Sequence, residues 1–311
     1  MTRSRELRLG TRASALALAQ AQWVADALAR AAGVSVSIVH LATEGDREQL
    51  VPVAAIGTKG VFTTRIQQAL LEGTVDVAVH SLKDLPTEPV AGIIIACIPA
   101  RESHRDALVS RDGKAHTELP KGASVATGSL RRRAQLLHAR PDLVMRDVRG
   151  NVDTRLRKLA AGEFDALVLA EAGLRRLGLA QHVAESLDET IMLPAPGQGA
   201  LAVECRASDR AIIEQVAMLD DSPTRAAVTA ERALLSALEG GCLAPIGAWA
   251  RIGKDRQLRL SGVVVAPNGS RRVYGELTGS RDQPSELGQR LADELLEQGA
   301  LEIIRASRET P

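Results

Sequence analysis

Arginines and hydroxyl residues recur in this chain where an apolar run gives way to a helical pattern. Thr11-Arg12-Ala-Ser14 is one such point, Thr127-Gly-Ser129 ahead of Arg131 and Arg132 is another, and Arg149-Gly-Asn151 is a third. A helix N-terminus offers unpaired N–H groups and the positive end of its dipole, so these turns suit anions. Planar guanidinium forks take carboxylates or phosphates in pairs of hydrogen bonds, each charge-assisted bond worth about 1.5–3 kcal/mol. A ligand with several such groups is implied. His80-Ser-Leu-Lys83-Asp84-Leu-Pro86 follows the strand-like run 75–79. Lys83 adds to the cationic set, whereas Asp84 opposes it. Either Asp84 caps the next turn or pairs with Lys83, or it holds N–H donors and stabilises a cation formed during reaction. Lys59, in Gly57-Thr-Lys-Gly60, reads as part of a mobile lid with Phe62 at its edge.

The three cysteines differ in setting. Cys97 and Cys205 sit inside apolar runs and read as inert core thiols. Cys242 follows two glycines in a loop, which makes it the best candidate for a nucleophile or an attachment point, with a structural role as the alternative. An odd number of distant cysteines suits a reduced cytoplasm without a disulfide framework. No His/Cys spacing matches a zinc site.

Charge is unevenly spread. The formal net charge is +1, but residues 121–160 hold ten basic against three acidic side chains, +7, leaving −6 for the rest. Of the 39 basic residues, 33 are arginine. A solvated helix face is the usual reading of such a run and codon bias the bland reading of the arginine excess, but the hydroxyls and helix N-termini beside these arginines favour an anion site. Aromatic residues are only 2%, which argues against stacking on single-stranded nucleic acid and against membrane-interface belts. There is neither an 18-residue apolar stretch nor the apolar core of a signal peptide, so no membrane association is expected.

These side chains need elements to hold them. Strand-like runs at Leu7–Gly10, Val34–Leu41, Val75–His80 and Ile93–Ile98 alternate with helical patterns at Ser14–Ala32 and Thr64–Leu71. After Pro99 come strand Ser124–Ala126, helix Leu130–Ala139, strand Leu143–Asp147, helix Val152–Ala161, and strands Ala166–Leu169 and Leu201–Glu204. Such alternation favours a parallel or mixed sheet with helices on both faces. Gly73-Thr-Val-Asp76 is echoed by Gly162-Glu-Phe-Asp165, and Ser14…Ala19-Gln20 by Ser129…Ala134-Gln135. The echo suggests two similar lobes with a cleft, where ligands would sit at the carboxyl ends of strands. Pro194-Ala-Pro-Gly-Gln198-Gly-Ala200 reads as a hinge crossing. A smaller α+β domain follows, with helix Arg225–Leu238, a turn at Pro267-Asn-Gly269 and a final helix Pro284–Gln298.

Taken together these segments resemble the porphobilinogen deaminase (hydroxymethylbilane synthase) family. The resemblance spans nearly the whole chain. It rests on Thr11-Arg-Ala-Ser14, Gly57-Thr-Lys-Gly-Val-Phe62, Asp76-Val-Ala-Val-His-Ser-Leu-Lys-Asp84, Ser129-Leu-Arg-Arg132, Arg149-Gly-Asn151, Ala195-Pro-Gly-Gln-Gly-Ala200 and Glu239-Gly-Gly-Cys242. It implies an α/β protein of two periplasmic-binding-protein-like lobes, residues 1–99 with 200–217 and residues 100–199. A C-terminal α+β domain, residues 222–311, would carry the cofactor cysteine. It implies that four porphobilinogen molecules are joined head to tail, with loss of ammonia, into linear hydroxymethylbilane. The primer would be a dipyrromethane held by a thioether to Cys242. The resemblance assigns catalysis to Asp84, cofactor binding to Lys83, Thr127, Ser129, Arg131, Arg132, Arg149, Gly173 and Gln198, and substrate binding to Arg12, Ser14, Arg149, Arg155 and Arg176. It further implies a cytoplasmic monomer whose product passes to uroporphyrinogen III synthase.

Each pyrrole carries an acetate and a propionate, so a six-ring chain brings about twelve carboxylates for the arginines. Gly128 departs from the family, which usually has serine there. Two other classes compete. A two-lobed binding protein for a small polycarboxylate would leave Cys242 merely structural. Nucleic-acid binding through the basic stretch is opposed by the scarce aromatics and the −6 elsewhere.

Overall fold

The computed structural model describes residues 6–41, 63–239 and 244–309. Lys59 and Phe62 of the expected lid, and Cys242 with its two glycines, lie outside the described residues. The chain divides into two units, Met1–Glu102 with Ala200–Arg225, and Ser103–Gly199 with Ala226–Pro311.

Unit 1 begins with β1 (Leu7–Thr11), α1 (Ala15–Ala32) and β2 (Val36–His40), the two strands parallel with Leu9 opposite Ile38. Ser14 caps α1 by accepting the Ala17 N–H, and Gly33 ends it in the left-handed region at φ 64°. Ala21, Val24, Ala25 and Leu28 form the buried stripe between these caps, at the i, i+3, i+4, i+7 spacing of one helix face. Then come α2 (Thr64–Leu71), β3 (Val77–Ser81), a 3-10 turn at Leu82–Asp84 and β4 (Ile93–Cys97). The sheet order is β2-β1-β3-β10-β4, in which β10 (Leu201–Arg206) returns late in the chain, antiparallel to both neighbours. Its pairing with β3 is what brings the segment after residue 199 back to the first lobe, and unit 1 keeps the chain as far as Arg225. One face packs on α1 and the helix Arg210–Ala217, the other on α2. Each wholly buried leucine, such as Leu9 or Leu70, contributes about 1.5–3 kcal/mol.

In unit 2 the chain runs β5 (Asp106–Ser110), β6 (Ser124–Ala126), α3 (Leu130–Ala139), β7 (Val144–Arg146), α4 (Val152–Ala160), β8 (Ala166–Ala170), α5 (Glu171–Arg176) and β9 (Glu185–Ser186). The sheet order, β7-β6-β8-β5-β9, reproduces that of unit 1 with β5 in the place of β10. The repeated Gly-x-x-Asp motif has the same job in both. Asp76 accepts the Arg8 N–H and Asp165 the Ser124 N–H, each tying the start of a parallel strand to its neighbour. Unit 1 also holds α6 (Arg210–Ala217), already met against its sheet. The remaining elements are α7 (Ser222–Ala237), the antiparallel strands β11 (Ile246–Ile252), β12 (Leu258–Val265) and β13 (Arg272–Gly279), then α8 (Pro284–Glu297) and α9 (Ala300–Glu309). Their apolar faces form one core, with Leu234, Leu260 and Leu291 among its buried residues.

Several elements are absent from the sequence reading. β5 opens on the charged Asp106, directly after His104-Arg105, and spans only five residues, too short and too polar at its start to stand out. The short α5 and β9 and the helix α6 were likewise not anticipated. Helix α8 is not the last. Gly299, at φ 91°, ends it, but α9 starts at once and buries Ile303 and Ile304.

Candidate functional site

The expected site residues fall into two sets, one in each unit. In unit 1, Arg12 and Ser14 follow β1, while Lys83 and Asp84 follow β3, so all four lie at the carboxyl ends of neighbouring parallel strands. A small hollow of about 70 Å³ is lined there by Arg12, Ser14, Gln20, Thr63, His80 and Asp84 among others. Leu82 is buried and anchors the 3-10 turn, which leaves Asp84 exposed at its end. Among the described residues Asp84 makes no hydrogen bond or ion pair, so it neither caps the turn nor pairs with Lys83. Its carboxylate is uncommitted among the described residues of unit 1.

Behind the hollow lies polar machinery that the sequence reading did not single out. Gln20 Nε2 donates to Ser81 Oγ at 2.9 Å, fixing α1 to the end of β3. His80 is buried with Nε2 at 3.1 Å from Glu204 Oε2, close enough to pair but off the hydrogen-bond direction. Gln67 Nε2 donates to both Glu204 oxygens at 3.1 and 3.2 Å. Glu204 was legible only as one polar residue in an apolar strand. The partners that make it important come from β3 and α2.

In unit 2 the cationic set is built on the ends of β6, β7 and β8. Thr127 is buried, and its Oγ1 accepts the Ser129 N–H at 3.2 Å. Ser129 occupies the N-cap position of α3, but its hydroxyl makes no capping bond. A Cβ at Gly128 would lie 2.9 Å from the Val148 carbonyl oxygen, so the serine that the resemblance leads one to expect there would need a backbone shift. Arg131 and Arg132 are not a solvated face. Their side chains are 4% and 8% exposed and share the buried carboxylate of Asp106 at 2.7 and 2.8 Å. Arg131 Nη1 also donates to the Leu193 carbonyl, and Arg132 Nη1 to that of Val168. Asp106, which the sequence reading passed over, thus offsets part of the surplus counted along residues 121–160.

Arg155 is the most informative of the group. Its Nε donates to the Gly150 carbonyl at 2.8 Å, and among the described residues it has no carboxylate partner. Burial, then the neighbouring charges of Arg132 and Arg149, bring its pKa down to about 10. Arg149 itself is exposed, just after β7. Gly150 adopts φ 102°, and a Cβ there would meet the Thr154 side chain at 2.8 Å, so glycine is required for the chain to enter α4. Three guanidiniums thus act on one another electrostatically, a grouping that an anion would offset.

The other expected residues are also in unit 2. Gly173 is buried within α5. Arg176 Nη2 donates to the Gly199 carbonyl at 2.7 Å. Gln198 is wholly buried and donates to the His104 carbonyl and to Asp106 Oδ1. The crossing segment is therefore pinned to unit 2, with Gly197 N–H bound to Glu231, and the chain enters unit 1 at Ala200. The thiols of Cys97 and Cys205 are pushed up by burial to about 12 and about 11, in keeping with inert core residues.

The chain matches two family models. "Porphobilinogen deaminase, dipyromethane cofactor binding domain" covers residues 7–214, and "Porphobilinogen deaminase, C-terminal domain" covers residues 225–297. A porphobilinogen deaminase of Acidothermus cellulolyticus is 52% identical, over 98% of this chain and 92% of that protein. One of Pelobacter propionicus is 50% identical, over 96% of each. Among solved structures, a periplasmic substrate-binding protein of an ABC transporter from Coxiella burnetii is similar at a TM-score of 0.43 and 17% identity, covering 68% of this chain and 91% of that one.

Proposed function

The chain belongs to the porphobilinogen deaminase family, and from that premise we propose that it joins four porphobilinogen molecules head to tail, releasing four ammonia molecules and adding one water at the terminal methylene, to make hydroxymethylbilane. The observation that carries this reading is Arg155, half-buried near Arg132 and the exposed Arg149, with its pKa brought down to about 10 and no carboxylate partner among the described residues. Like charges crowded in a dry setting cost stability unless an anion offsets them. Porphobilinogen, with two carboxylates per ring, is such an anion. The same donor set fits the carboxylates of a dipyrromethane, which would supply the nucleophilic pyrrole carbon when bound through Cys242.

The chain's own residues divide the work. Arg131, Arg132, Arg149, Arg155 and Arg176, with Thr127, Ser129, Gly173 and Gln198, hold carboxylates and the turns that present them. Arg12, Ser14 and Lys83 do this at the strand ends of unit 1. Asp84, uncommitted there, accepts hydrogen bonds from a pyrrole N–H and offsets the positive charge left on the ring as ammonia departs. Lys59 and Phe62 are proposed as a lid, and the segment 194–200 as the hinge. We assign residues 1–99 with 200–217, 100–199 and 222–311 to three domains, and a monomer in the cytoplasm whose product passes to a uroporphyrinogen III synthase. The unpaired core thiols support the compartment. No helix among the described residues is long and apolar enough to cross a membrane.

The test is intact mass together with turnover. The purified chain should carry a covalent excess that vanishes in Cys242→Ala, and it should release ammonia from porphobilinogen. An unmodified wild-type chain that still turns over substrate overturns the attachment, and a chain that does neither overturns the function.

A further inference from the structure

Asp106 is fully buried at the start of β5, opposite Ala170, where the parallel strands β6 and β8 of unit 2 end. Its Oδ1 accepts from Arg132 Nε at 2.9 Å, Arg132 Nη2 at 2.8 Å and Gln198 Nε2 at 3.0 Å, and its Oδ2 accepts from Arg131 Nη1 at 2.7 Å. Three features make this more than a core ion pair. Arg131 and Arg132 stand in the first turn of α3, where the helix dipole disfavours cations and no acidic residue of the helix offsets them. One carboxylate between two guanidiniums leaves the cluster positive, and Arg155, whose Nε is spent on the Gly150 carbonyl, has no ion pair among the described residues. Finally, the same station in the sister sheet, opposite Ser81, is filled by Leu201. A sheet of this topology closes without a carboxylate there, so Asp106 answers to the arginines and not to the fold.

We propose that Asp106 is a positioning residue for carboxylate binding. Through one buried carboxyl group it locks Arg131, Arg132 and Gln198 in register, so that the donors Arg131 does not spend on the protein, and the surplus charge, are presented at the carboxyl end of the sheet. The proposal rests on the function given above and names what orients its anion receptor. Among the described residues Arg131 spends only Nη1 on the protein, although its side chain is 4% exposed. Its remaining N–H groups are the ones such positioning would aim. A buried pair that loses one member leaves an uncompensated charge, so the arginines should rearrange when Asp106 is neutralised.

The test uses the full chain with Asp106→Asn, and with Asp106→Glu, which keeps the charge but advances it by one methylene. Steady-state kinetics with porphobilinogen should show KM raised about tenfold or more in Asp106→Asn, since misplaced binding groups cost on that scale, while kcat per adduct-bearing chain stays within about threefold. The fraction of chain carrying the covalent adduct should fall in the same variant. A direct measurement accompanies these, the affinity for benzenehexacarboxylate in a Cys242→Ala background, where nothing covalent occupies the arginines. Binding should weaken about tenfold with Asp106→Asn. Unchanged binding and KM in a folded variant would falsify the proposal. Tighter binding also overturns it, because Asp106 would then compete for the arginines. If Asp106→Asn does not fold, Asp106→Glu decides by the same readings, weaker binding supporting the role and wild-type binding removing it. Should the wild-type chain neither turn over porphobilinogen nor carry an adduct, the function fails, while the benzenehexacarboxylate comparison still decides for or against Asp106.

Discussion

At the scale of single residues, the catalytic division of labour turns on which charges are already spent. Asp84 makes no hydrogen bond or ion pair with any described residue, whereas Asp106 is saturated by donors. A free, exposed carboxylate contributes little to folding. Asp84→Asn should therefore leave the melting temperature within a degree or so and lower kcat by about 10²–10³, the usual loss when one electrostatic stabiliser is removed. Thermal unfolding and turnover of porphobilinogen check this together. A near-normal rate would remove Asp84 from the chemistry. Most of these residues were legible as motifs, because hydroxyls and arginines beside strand-to-helix turns are local features. Asp106, Glu204 and Gln67 were not, since each acquires its role from side chains far along the chain: Asp106 from Arg131, Arg132 and Gln198, Glu204 from His80 and Gln67.

At the scale of elements, caps and clamps hold the strand ends in place. Asp76 joins three strands of unit 1, accepting the Arg8 backbone N–H at 3.0 Å, Arg8 Nε at 2.9 Å and Arg206 Nη2 at 3.3 Å. Burial alone would raise its pKa, but the bonds from Arg8 and then Arg206 outweigh that and bring it from 3.8 to about 2. A carboxyl group with a depressed folded-state value stabilises the fold fully above its ordinary value of 3.8 and loses that contribution as pH falls toward about 2. The contribution is on the order of 2 kcal/mol. Asp76→Asn should lower stability to urea at pH 7 by at least about that amount and flatten the acid side of the stability profile between about pH 4 and 2. An unaltered acid slope would show that some other group controls it. The Gly-x-x-Asp echo made this clamp findable, because both copies sit just before a strand of the same kind. β5 escaped notice because its five residues begin with a charge whose partners lie elsewhere.

At the scale of the whole molecule, the chain order and the sheet order disagree in an instructive way. Unit 1 takes β10 from beyond residue 200 and seats it between β3 and β4. Those two strands have no bond to each other in the sheet order, so a chain ending at Gly199 lacks the strand that joins them. Such a chain should show no cooperative unfolding of unit 1, whereas one ending at Arg225 should regain β10 and α6. Circular dichroism during urea titration separates the two cases. Cooperative, native-like unfolding of the shorter chain would show that β3 and β4 can close without β10.

The sequence by itself determined the periodicities, the caps, the internal repeat, the cationic turns and the family, because each is carried by neighbours along the chain or by motifs that survive as short strings. Ser14 and Gly33 announce α1, and Gly150 announces the entry to α4, through backbone preferences that act within a few residues. Tertiary structure alone decided which charges remain available. It placed Asp106 against two arginines, set Arg155 under the charges of Arg132 and Arg149 with no carboxylate partner among the described residues, and set Glu204 beside His80. Burial and Coulomb interaction depend on distance in space, and separations of 25 to 137 residues along the chain carry no local sign of that distance.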